Sequence, residues 1–166
     1  DKKKSVGISW RAKLAGQLIL GLGIGWYMFQ MMGISIINIP FFGVADLGWI
    51  FVPFAAVVIS LFSNAVNITD GLDGLAGGVL MITLFALLIL GSTILDMPTT
   101  LFIALWLGGI MAFLYFNTYP ARIFMGDVGA LSFGATLAVI GLLYGKIIAV
   151  AIIGGGFILE FATSAI

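Results

Sequence analysis

Six apolar stretches, of about twenty residues or somewhat fewer, occupy most of this chain and restrict the environments in which it can fold. A helix rises about 1.5 Å per residue, so about twenty such residues cross a hydrocarbon layer about 30 Å thick. The stretches run from Ala12 to Met32, Gly48 to Ser63, Gly74 to Leu95, Thr100 to Phe116, Ala130 to Tyr144 and Ile147 to Ile166, the second and fifth being short. Composition agrees: 62% of the 166 residues are hydrophobic and 8% are charged, where soluble domains carry about 25% charged residues. The reading is a single all-α polytopic integral membrane domain over residues 1–166, with about six transmembrane helices in contact with a lipid bilayer. Between the first two stretches, Ile34, Ile36, Ile37 and Ile39 followed by Pro40 and Gly43 predict a small extracytoplasmic hairpin.

Seven basic residues balance seven acidic ones, so no overall field draws the chain to nucleic acid, and none is expected as a partner. Local placement carries the information. Lys2, Lys3, Lys4, Arg11 and Lys13 precede the first span, alternating crossings put Arg122 on the same side, and Lys146 falls opposite. By the positive-inside rule the N-terminal tail, the Ser63–Asp73 junction and the Asn117–Gly129 loop are cytoplasmic, while Asp46 and Asp96 lie outside. Trp10, Trp26 and Trp49 sit near span ends, as interfacial aromatics do. Because it starts at Asp1 and stops at Ile166 inside an apolar run, the chain is expected to be a piece of a longer protein.

Cysteine and histidine are both absent, which removes thiolate nucleophiles, imidazole bases and the usual zinc ligands and leaves oxygen chemistry. Any metal bound by such residues is a hard one, such as magnesium. Two polar clusters interrupt the apolar pattern. The first places Asn64, Asn67, Asp70 and Asp73 three residues apart, with Thr69 and Gly71 marking a break between helices. The second, Asn117–Gly129, carries Asp127 between Gly126 and Gly129, with Arg122 as its cation. Asp127 also has a plainer reading as the N-cap of the helix that follows. Both clusters fall on the cytoplasmic face, so three aspartates can meet at one membrane surface. Carboxylates so placed repel each other and any anionic substrate unless a cation mediates, which points to magnesium-assisted phosphoryl transfer. A lipid phosphate acceptor is already anionic near neutral pH and needs little general-base help.

The strings NAVNITDGLDGLAGG (64–78) and NTYPARIFMGDVGALSFG (117–134) resemble the two signature loops of the polyprenyl-phosphate N-acetylhexosamine-1-phosphate transferases. Thr69 and Val128 bring the chain nearer to the members that transfer phospho-MurNAc-pentapeptide. The stretch from Lys2 to Gln17 is similar to the segment after that family's early aspartate pair. The resemblance implies magnesium-dependent transfer from UDP-MurNAc-pentapeptide to undecaprenyl phosphate, giving lipid I and UMP at the cytoplasmic face of the bacterial inner membrane. Carried over by position, Asp70, Asp73 and Asp127 are its catalytic acids and Asp127 its metal ligand. Asn64, Asn67 and Asn117 line the polar site, while Gly71, Leu72, Asp73 and Phe124 contact uridine. A homodimer is left open, as is a role for Phe124 as an interfacial anchor.

The family's early aspartates would lie before residue 1 and its His-rich loop beyond Ile166, and Ala130 stands where many relatives have Ser. Glu160, in the last span, reads as an acid snorkelling to the cytoplasmic end rather than as a site carboxylate. Two alternatives stand beside this reading. One is a sister polyprenyl-phosphate GlcNAc-1-phosphate transferase. The other is an ion-coupled membrane transporter, whose polar residues would sit nearer the midplane between repeats.

Overall fold

A computed structural model describes residues 9–40, 42–94 and 96–164. The expectations placed on Lys2, Lys3 and Lys4, and on the span ends at Leu95 and Ile166, lie outside the described residues. The elements in chain order are α1 (Trp10–Met32), β1 (Ile36–Ile39), β2 (Gly43–Asp46), a short 3-10 turn at Gly48–Ile50, α2 (Phe51–Thr69), α3 (Leu75–Ile94), α4 (Met97–Asn117), α5 (Gly126–Leu143), α6 (Ile147–Ile153) and α7 (Gly155–Ser164). This is an all-α polytopic architecture in which five helices are long and apolar enough to cross a membrane.

The ends of the helices are set by local chemistry. Ser9 caps α1 by accepting from the Ala12 amide at 3.3 Å, and Asp96 caps α4 with Pro98 in the first turn. The expected hairpin is present: β1 and β2 pair antiparallel with Ile36 opposite Asp46 and Ile39 opposite Gly43. Asp46 accepts from the Gly48 amide at 3.0 Å. The Ser35 hydroxyl and that amide hold the Asp46 carboxyl below its ordinary value.

The sixth expected span is two helices instead of one. The chain turns at Gly154, where the Phe157 amide donates back to the Gly154 carbonyl at 2.9 Å. Three successive glycines, Gly154 to Gly156, weaken helix propensity by about 1 kcal/mol each relative to alanine. Seven residues in α6 are too few to cross a bilayer alone.

Packing centres on α2, which lies against α1, α5 and α7, while α3 pairs with α4. Lipid tails are as apolar as leucine, so helices in a membrane gain by close van der Waals approach rather than by burial from water. Small residues provide that approach. A Cβ on Gly21 would stand 2.7 Å from the Ala56 Cα, and one on Gly25 would stand 2.8 Å from the Val52 carbonyl oxygen. On α5, a Cβ on Gly134 would stand 2.6 Å from the Ser63 Cα and 2.7 Å from the Phe62 carbonyl carbon. One core joins Val66, Leu80, Leu84, Leu137, Val150 and Phe157, and a second joins Met28, Phe51, Ile59 and Leu142 beneath the hairpin. At the hairpin end the Asn38 amide donates to the Gly145 carbonyl at 2.6 Å. The polar clusters occupy the other end.

Candidate active site

α2 continues to Thr69, two turns beyond the expected end at Ser63, so Asn64 and Asn67 are helical residues. Their amides find partners without breaking the helix: Asn64 Nδ2 donates to the Ser60 carbonyl and to Gln17 Oε1 of α1, each at 2.8 Å. The Thr69 hydroxyl returns to the Ala65 carbonyl at 2.9 Å. The expected break follows at 70–74, closed by Gly74 with φ +77°, a conformation open to glycine at little cost.

The break is joined to the second loop by two contacts. Asn117, only 2% exposed, accepts from the Gly74 amide at 3.1 Å and donates to the Ile123 carbonyl at 2.8 Å. Asp73 accepts from the Ala121 amide at 3.0 Å. The two signature stretches, 43 residues apart from Gly74 to Asn117, thus meet at one end of the bundle. Asn117 spends both polar groups on backbone, so in this arrangement it fastens the loops together.

α5 starts at Gly126, four residues earlier than expected, with φ +66° there. Met125 holds the N-cap position without a side-chain bond, and Asp127 lies inside the first turn. The capping role is therefore not the one Asp127 fills. Its carboxylate reaches across to two other helices: Oδ1 accepts from Asn67 Nδ2 at 3.1 Å, and Oδ2 pairs with Lys13 Nζ. With 57% of its side chain exposed, Asp127 stays open to a ligand, and the amide end of α5 favours its negative charge.

Asp70 stands beside this group. Partial burial pushes its carboxyl above the ordinary value and the Asp127 charge adds to the rise, while the Gly126 amide opposes both. The three expected catalytic acids share one end of the molecule. Among the described residues no three acids are close enough to hold a single ion, because the Ala121 amide draws Asp73 toward the second loop. Gly71 is exposed, as are Leu72 and Phe124, 70% and 69% respectively, on the same two loops. Ala130 is fully buried, and Glu160 is exposed on α7.

Two residues of this site escape a reading by motif. Lys13 counts in the sequence only as one of several basic residues that set orientation, yet it is the residue that pairs with Asp127. Gln17, one turn further along α1, is the partner of Asn64. The available signal is their i, i+4 spacing, which puts a cation and an amide on one face of a mostly apolar helix.

Residues 1–145 match the family described as glycosyl transferase family 4. The chain is 40% identical over 163 residues to a phospho-N-acetylmuramoyl-pentapeptide-transferase of Acetivibrio thermocellus, covering 96% of this chain and 49% of that protein. It is 45% identical over 159 residues to the protein of the same name from Wolbachia pipientis wMel, covering 93% and 48%. A third, from Halalkalibacterium halodurans, is 36% identical over 160 residues, covering 95% and 49%. The chain thus spans about half the length of the curated relatives it matches.

Proposed function

The chain belongs to glycosyl transferase family 4, and on that premise we propose that it serves the transfer of phospho-MurNAc-pentapeptide from UDP-MurNAc-pentapeptide to undecaprenyl phosphate, with lipid I and UMP as products. The observation that carries this reading is the position of Asp127. Its carboxylate begins α5 and is steadied by Asn67 of α2 and Lys13 of α1, at the end where the two loops are joined. The names of relatives 36–45% identical to this chain, each a phospho-N-acetylmuramoyl-pentapeptide-transferase, support this substrate class. The reading includes a site facing the cytoplasm of a bacterial inner membrane, in keeping with the basic residues at that end.

The donor set fits magnesium: exposed carboxylate oxygen on Asp127, a second carboxylate on Asp70 next to it, and no cysteine or histidine anywhere in the sequence. Asp127 would hold the ion with Asp70 in support, and when bound the ion neutralises diphosphate charge as the bond to UMP breaks. The chain's own residues do the rest. Asn67 fixes one oxygen of Asp127 and so the rotation of the carboxylate. Lys13 supplies a positive charge at a site that receives two anionic substrates, lowering their mutual repulsion. The acceptor phosphate is already anionic near neutral pH, so its oxygen needs little or no general base to act on the β-phosphorus as UMP leaves. Asp73 and Asn117 hold the loops closed over the polar end, and the exposed Leu72 and Phe124 offer apolar surface to a base.

The test is UMP release by the full-length protein in detergent, with undecaprenyl phosphate and each UDP-sugar in turn, with and without magnesium. The reading requires release with UDP-MurNAc-pentapeptide and its loss on chelation. Release with UDP-GlcNAc alone would assign the sister activity instead, and no release with any UDP-sugar would remove the transferase reading.

A further inference from the structure

The polar contacts continue from Asp127 into the membrane as a second rung. On α1, Gln17 lies one turn from Lys13. On α2, Asn64 lies three residues from Asn67. The upper rung is Lys13, Asp127 and Asn67, and the lower is Gln17 Oε1 accepting from Asn64 Nδ2 at 2.8 Å. Among the described residues the lower rung is the only side-chain hydrogen bond directly between α1 and α2. Elsewhere these helices meet through Gly21 and Gly25 against Val52, Ala55 and Ala56. Such small-residue contacts favour closeness but are nearly smooth along the helix axis, and a directional hydrogen bond is not.

We infer that Gln17 is a positioning residue: its bond to Asn64 sets the axial register of α1 against α2, so that Lys13 and Asn67 reach opposite oxygens of the same Asp127 carboxylate. A slip of one residue along α1 moves Lys13 by about 1.5 Å and rotates it about 100° around the helix, which separates it from Asp127. Among the described residues Gln17 Nε2 is buried without a partner, which sharpens the point. Leucine would fill similar space without that donor but would leave one Asn64 N–H unpaired in its place, so packing alone gives no preference for glutamine. Its oxygen is the part in use.

The experiment compares wild type, Gln17→Leu, Gln17→Asn and the exchanged pair Gln17→Asn/Asn64→Gln in the full-length protein. Three readouts are taken: unfolding temperature, the rate at which an amine-acylating reagent modifies Lys13 as followed by peptide mass spectrometry, and kcat and KM for transfer. Gln17→Leu, which removes the unpaired Gln17 donor but leaves one Asn64 N–H unpaired, is expected to unfold close to the wild-type temperature while its Lys13 is acylated a few-fold faster, in keeping with loss of a partly exposed ion pair. Gln17→Asn, too short to bridge, should behave alike, and the exchanged pair, which restores the combined reach, should return Lys13 to its protected rate. The transfer arm rests on the function proposed above, and there kcat is expected to fall at least tenfold with KM little changed. The acylation arm does not depend on that function, so an inactive wild type would refute the transferase reading and leave the register test standing. Asp127→Asn serves as the reference for a released Lys13. Slow acylation in Gln17→Leu beside fast acylation in Asp127→Asn overturns the inference, as does an Asp127→Asn protein whose Lys13 reacts no faster than wild type.

Discussion

Adding one methyl group at Gly134 is expected to damage the site without touching any residue in it. Gly134 closes the second signature stretch, yet it lies two turns into α5, where it faces the backbone of α2. The added Cβ would stand 2.6 Å from the Ser63 Cα, and carbon atoms settle at about 3.5 Å. The helices must therefore separate by about 0.9 Å at this point. Both neighbours are backbone, so no side chain can rotate away to absorb the displacement. Overpacking of this kind costs about 1–3 kcal/mol, which lowers the unfolding temperature by several degrees in a chain of about this size. Asp127 and Asn67 straddle the same α5–α2 contact, two turns along α5 and one along α2, and a misplacement of about 1 Å reduces turnover by about a hundredfold. The assay is UMP release alongside thermal unfolding in detergent for Gly134→Ala, with Gly108→Ala as a control because a Cβ there meets nothing within 4 Å. Unaltered turnover and unfolding in Gly134→Ala would show that α2 and α5 are not in backbone contact and that the packing argument is wrong.

Asp127→Asn is expected to lower transfer about a thousandfold and to raise the magnesium concentration needed for half-maximal rate. Near-normal activity with unchanged magnesium dependence would remove Asp127 from the site. Asp70→Asn is expected to abolish transfer yet raise the unfolding temperature at neutral pH. The folded carboxyl has the higher pKa, so the unfolded chain ionises first and stability falls as pH rises from the ordinary value through the raised one. Unfolding measured at neutral pH and below pH 4 should show the advantage of Asp70→Asn shrinking in acid. With no cysteine in this sequence, orientation is read by thiol labelling in intact cells at two exposed loop positions, against the unsubstituted protein as background. Phe42→Cys should react with an impermeant reagent and Tyr119→Cys should not, and the opposite pattern would invert the assigned topology.

Much of the fold was legible in the sequence because a bilayer admits few solutions. A run of apolar residues about 30 Å long must become a helix with its own backbone hydrogen bonds. That constraint placed five spans, all but α2 within about four residues at each end, and β-branched residues before Pro40 and Gly43 placed the hairpin. It also marked Asn67, Asp70 and Asp127 as residues of interest, since polar groups are costly beside lipid. Helix ends were less legible. Asn64 and Asn67 look like the start of a loop until their amides are seen bonded to Ser60, Gln17 and Asp127, and Gly154 looks tolerable until Phe157 folds back on it. The partners of each polar group were decided by tertiary structure alone. Lys13 meets Asp127 across 114 residues, and Asn117 turns out to fasten two loops because α4 delivers it beneath Gly74. Hydropathy is a property of each segment by itself and survives in the linear sequence. A hydrogen bond between helices depends on their relative rotation and register, which are fixed only when Gly21, Gly25 and Gly134 bring the backbones together.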